Sequence, residues 1–196
     1  MTPRFELLAQ PWWVNLLILI PLTAAYTWRR HGPGLSARQL VAGALFAIGF
    51  GFVEAAVVVY LRGAVGMLGG AGAGISEMSQ LNAMLSQPAP EMLRLFKIEV
   101  AREAATMLML VSVAVLAASR ARERWALFLW CFAIWDLVYY AGLWVTIRWP
   151  ESLLTQDVLF LIPVPWVSQV WFPCVVSGLT VAVVLVTSTR ERPRQS

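Results

Sequence analysis

The chain is predicted to be an all-α polytopic integral membrane helix bundle with about five transmembrane helices, and three observations lead there. Hydrophobic residues make up 59% of its 196 positions and charged ones only 13%, with a mean hydropathy of +0.69; soluble domains carry about a quarter charged residues. The apolar residues run in segments near the roughly 20 residues needed to cross about 30 Å of hydrocarbon. Most of the arginines gather in short polar stretches between those segments, where they set orientation.

The spans fall at about 11–28, 39–61, 98–118, 125–147 and 166–187, within a single transmembrane domain covering 1–196. Only Arg4, offset by Glu6, precedes the first, which has no clear small-x-small cleavage site and runs into Arg29 and Arg30. It reads as a retained span rather than a secretory signal. The second carries Gly43, Ala47, Gly51 and Ala55 at spacing four, a ridge suited to close helix packing. Ahead of the third, Pro90 with Glu91 in the first turn marks a helix start outside the bilayer. The segment LLTQDVLFLIPVPW, 153–166, is apolar but too short and too rich in proline to cross as a helix, and is expected to form a re-entrant or interfacial cap. The other long connection, 63–96, opens with RGAVGMLGGAGAGISEMSQ, which lacks the GK[ST] ending of a phosphate loop and reads as a flexible linker.

Outside the spans, Arg29, Arg30, Arg38, Arg120, Arg122, Arg124, Arg190, Arg192 and Arg194 fall on one side, and Arg4, Arg62, Arg94, Lys97 and Arg148 on the other. Nine against five predicts a multi-pass protein of the inner or plasma membrane with the C-terminus cytoplasmic and the N-terminus outside. The net charge of +4 and pI near 9.6 are explained by this distribution, and no nucleic-acid partner is expected. The two cysteines, Cys131 and Cys174, lie at different depths and are expected to be free. His31 is the only histidine and sits in a polar stretch, so no haem and no histidine-based zinc or iron site is expected.

Function is sought where charge meets lipid. The uninterrupted apolar part of the third helix, Ala104 to Ala118, is about 15 residues or about 22 Å, so the turn before it must enter the membrane or its boundary. That turn brings Glu99, Arg102 and Glu103 into an arc of about 100°, with Thr106 in the same arc. In the fourth helix, WDLVYY places Asp136, Tyr139 and Tyr140 on one face, with Asp136 about 11 residues from the outer end of its span. Glu54 lies about 8 residues from the outer end of the second. The three depths agree, which points to one polar pocket beneath the outer connections, with Asp157 of the cap closing over it. Gln169, Pro173 and Ser177 on the last helix are lesser contributors.

In a membrane enzyme acting on a lipid or isoprenoid substrate, the catalytic candidates are Glu54, Glu103, Asp136 and Tyr139, and the substrate-binding ones are Arg102, Tyr140 and Asp157. A divalent cation is a possible cofactor, with Glu54, Glu99, Glu103 and Asp136 as oxygen ligands. Two other functions stay open. The acidic pocket could pass protons or cations, or the charges and the small-residue ridge could serve assembly as a homo-oligomer or a subunit of a larger membrane complex. A purely architectural role has Arg102 paired with a neighbouring glutamate and Asp136 protonated or bonded to a tyrosine; one arginine, however, does not neutralise four carboxylates.

Overall fold

The computed structural model describes residues 9–64 and 90–189. Most of the predicted glycine-rich linker and the three C-terminal arginines fall outside the described residues. A 3-10 segment, Trp12–Ile18, leads into α1 (Leu19–Trp28); α2 (Ala37–Ala64), α3 (Pro90–Ala117) and α4 (Ala121–Ile147) follow. Two short strands, β1 (Gln156–Phe160) and β2 (Trp166–Gln169), precede α5 (Trp171–Thr189).

The fold is an all-α membrane helix bundle. The helices α2 to α5 are each long and apolar enough to cross a membrane. Their outward faces carry large exposed apolar side chains such as Leu45, Leu108, Leu116 and Val145, the reverse of a water-facing surface. The first predicted span is shorter than the rest by residue count. Its opening seven residues form a 3-10 helix, which rises about 2.0 Å per residue against 1.5 Å in an α-helix, so the segment still extends for about 29 Å.

The observed helices correct several predicted boundaries. α2 begins at Ala37 and α4 at Ala121, earlier than the 39 and 125 expected, because polar first turns project beyond the apolar run. At the start of α2, Ser36 and Gln39 cap reciprocally: Ser36 N–H donates to Gln39 Oε1 at 2.9 Å and Gln39 N–H to Ser36 Oγ at 3.2 Å. α3 starts at Pro90 as predicted. The last span begins at Trp171, not 166, since residues 166–169 pair as a strand.

The cap expected over 153–166 is an antiparallel β-hairpin that pairs Gln156 with Gln169, Asp157 with Ser168 and Val158 with Val167. Its prolines, Pro163 and Pro165, fall in the connection, where no ladder hydrogen bond is required of them. Gln10 and Val167 exchange backbone hydrogen bonds at 2.8 Å, an antiparallel bridge that adds a third segment to one edge. Every backbone group paired this way avoids a cost of several kcal/mol in an apolar setting.

α4 is the central helix, packed against α2, α3 and α5, while α1 packs on α5. The predicted small-residue ridge is the α2–α4 contact: Ala47 and Ala55 are fully buried. A Cβ on Gly51 would stand 2.7 Å from the Trp135 carbonyl oxygen, and one on Gly43 would stand 2.9 Å from Leu127. Since the obstacle at Gly51 is backbone, Gly51→Leu is expected to cost about 1–3 kcal/mol, seen as a lowered unfolding midpoint in detergent. Gly49→Leu is the control, because its Cβ position meets nothing within 4 Å; an equal loss there would refute the packing account. Cys131 and Cys174 are both free, as expected.

Candidate functional site

Beneath the hairpin, α2 to α5 leave a cavity of about 360 Å³. All eight predicted site residues line it: Glu54 from α2, Glu99, Arg102 and Glu103 from α3, Asp136, Tyr139 and Tyr140 from α4, and Asp157 from β1. The placement follows from helical periodicity. Positions 99, 102, 103 and 106 share a face of α3, and 132, 135, 136, 139 and 140 share one of α4. The walls between are apolar, with Val58, Leu61, Phe96, Phe132, Phe172 and Val176 among them.

Arg102 joins two helices and two acids. Its Nη1 pairs with Glu54 Oε2, and its Nε and Nη2 donate to Glu99 Oε1 at 3.0 and 2.7 Å. Thr106 Oγ1 donates to the other Glu54 oxygen at 3.1 Å. The Glu54 carboxylate, 5% exposed, therefore has a partner on each oxygen. A charge so buried requires this degree of pairing.

The remaining carboxylates are held differently. Glu103 Oε2 accepts the Leu161 N–H at 2.8 Å, tying α3 to the hairpin. Asp136 Oδ2 accepts the Ser177 hydroxyl at 2.8 Å, rather than the tyrosine bond considered from sequence, tying α4 to α5. Asp157 Oδ2 accepts the Tyr140 hydroxyl at 2.7 Å, tying β1 to α4 at the cavity wall. Thus Arg102 serves Glu54 and Glu99, whereas Glu103 and Asp136 rest on one neutral donor each. The second oxygens of these two have no donor among the described residues and retain acceptor capacity.

The four proposed metal ligands share a cavity but not a coordination geometry. Glu54 and Glu99 are drawn together by Arg102, and Glu103 and Asp136 are anchored on separate elements. Among the described residues, no group of three His, Cys, Asp or Glu side chains is placed to hold a metal ion. Of the lesser candidates, Pro173 and Ser177 line the cavity. Gln169 is buried and accepts the Trp171 indole N–H at 2.9 Å instead.

Arg62 is the member that the sequence reading misplaced. Counted as a flanking charge, it is 5% exposed, lines the cavity and stacks over the Trp149 ring at 4.2 Å. Its position eight residues after Glu54, about two helical turns, was the available signal. Trp135 on the cavity wall and the Leu161 N–H were also missed. No protein-family model, curated protein or solved structure matches this chain, so the functional reading rests on the site.

Proposed function

We propose that the protein is a membrane enzyme acting on a lipid or isoprenoid substrate by acid–base chemistry, with Glu103 and Asp136 as the proton-exchanging groups. The observation that carries this reading is the pair of carboxylates on neutral donors, each with an uncommitted oxygen, in a cavity with apolar walls. A volume of about 360 Å³ lies in the range of about 300–1,000 Å³ that holds small ligands. Carboxyl groups positioned this way give and take protons at a bound substrate.

The other residues take supporting parts. Arg102, committed to two glutamates, positions Glu54 and Glu99 rather than gripping the substrate. Tyr140 and Asp157 fasten the hairpin above the site, and Tyr139, stacked on Trp135, lines the same cavity as Asp136. The arginine-rich connections at Arg29, Arg30, Arg120 and Arg122 lie between helix ends away from the hairpin. By the positive-inside rule the hairpin then faces outward, the C-terminus is cytoplasmic, and the substrate comes from the outer leaflet of the cell membrane.

The test is mass spectrometry of lipid extracts from cells producing the wild type, Glu103→Gln or Asp136→Asn at matched levels of folded protein. A lipid consumed or formed only with the wild type supports the enzyme. Extracts indistinguishable across the three would remove it.

A further inference from the structure

We infer that the cavity takes the head of an amine-bearing amphiphile: a protonated primary amine on a long alkyl chain, with an acceptor oxygen beside the nitrogen. The inference rests on the cavity being a lipid-substrate site, and it names the chemistry of that lipid.

The charge balance comes first. Five carboxylates line the cavity against two guanidiniums, those of Arg62 and Arg102. Arg102 is spent on Glu54 and Glu99, and Glu103 and Asp136 meet only neutral donors. An anionic head would add to this surplus, and a neutral one would leave it uncompensated in a low dielectric. Protons or a cation relieve it, and among ligand heads only a cationic one does so.

The aromatic wall gives the second argument. Phe132, Trp135, Tyr139 and Tyr140 line the cavity on the same stretch of α4 as Asp136, with the Trp135 and Tyr139 rings stacked at 6.3 Å. Aromatic side chains grouped with a carboxylate are the composition of sites that recognise ammonium groups.

An orphaned donor gives the third, independently of charge. Trp135 is 8% exposed, and its Nε1 is buried with no hydrogen-bond partner among the described residues. Buried donors are ordinarily paired. A hydroxyl or ester oxygen adjacent to the amine would supply the acceptor while the nitrogen meets Asp136.

The test is native mass spectrometry of the full chain in a neutral detergent, titrated with dodecylamine, dodecanol or dodecyl phosphate. Dodecylamine is expected to bind as one molecule, at least about tenfold more tightly than either competitor. Asp136→Asn should abolish that preference. 2-Aminododecan-1-ol should bind more tightly still, and Trp135→Phe should remove the increment while keeping the amine preference. Equal or tighter binding of dodecanol or dodecyl phosphate by the wild type would overturn the inference, whether or not Asp136→Asn folds. Amine preference with unchanged lipid extracts would uphold the ligand class and remove the enzyme; altered extracts without amine preference would do the reverse.

Discussion

On the proposed acid–base function, Asp136→Asn is expected to lower turnover by about 10²–10⁴-fold, the usual contribution of a positioned acid or base, while leaving the fold in place. Asparagine is nearly isosteric with aspartate, and its amide oxygen can still accept the Ser177 hydroxyl that now donates to Asp136 at 2.8 Å. What the amide cannot do is take a proton at catalytic pH. The same logic holds for Glu103→Gln, where the side-chain oxygen can keep the Leu161 N–H and the hairpin its anchor. Single-turnover rates on the lipid identified from the extracts, with unfolding midpoints measured alongside, separate the two properties. Retained turnover in both variants would end the acid–base role. Loss of the fold in both would show the carboxylates to be structural.

Helix positions and the depth of the charged group were legible because both follow from one-dimensional rules. Apolar run length locates α2 to α5, and the 3.6-residue period puts Glu99, Arg102 and Glu103 on a single face. Agreement in depth among Glu54, Glu103 and Asp136 then anticipated the common cavity. Partner assignment was not legible in the same way. That Arg102 reaches across to α2, that Asp136 meets Ser177 and that Tyr140 meets Asp157 depend on how the helices rotate about each other, which periodicity leaves undetermined.

Two further features that the local sequence left open have identifiable physical causes. Arg62 was counted as a flanking charge because it follows the apolar run, yet α2 continues to Ala64 and carries it onto the cavity wall. The 153–166 segment satisfies its backbone as a hairpin, using Gln10 and residues 166–169 as neighbours, and long-range pairing of that sort leaves little trace in local composition. Counting carboxylates likewise shows how many oxygens are near, but not that a guanidinium already pairs with two of the acids.

Arg102→Met is expected to destabilise the protein by about 3–5 kcal/mol, the cost of stranding the buried charge of Glu54 once its partner is removed. The guanidinium is the described link between Glu54 on α2 and Glu99 on α3, with side chains 7% and 26% exposed. Methionine fills much of the volume, so the loss is electrostatic rather than a matter of packing. Neutralising the stranded acids should therefore restore stability: Arg102→Met with Glu54→Gln and Glu99→Gln is expected to recover most of the drop, whereas the same glutamines beside an intact Arg102 leave a half-buried cation without its acids and destabilise in turn. Chemical unfolding of the four proteins in one detergent reads the cycle directly. A single variant as stable as the wild type, or a triple variant no better than the single, would mean that the ion group does not hold α3 to α2. The opposite result makes Arg102 the clasp of the cavity's α2–α3 side, with two of the cavity's five carboxylates committed to structure and Glu103 and Asp136 left on neutral donors.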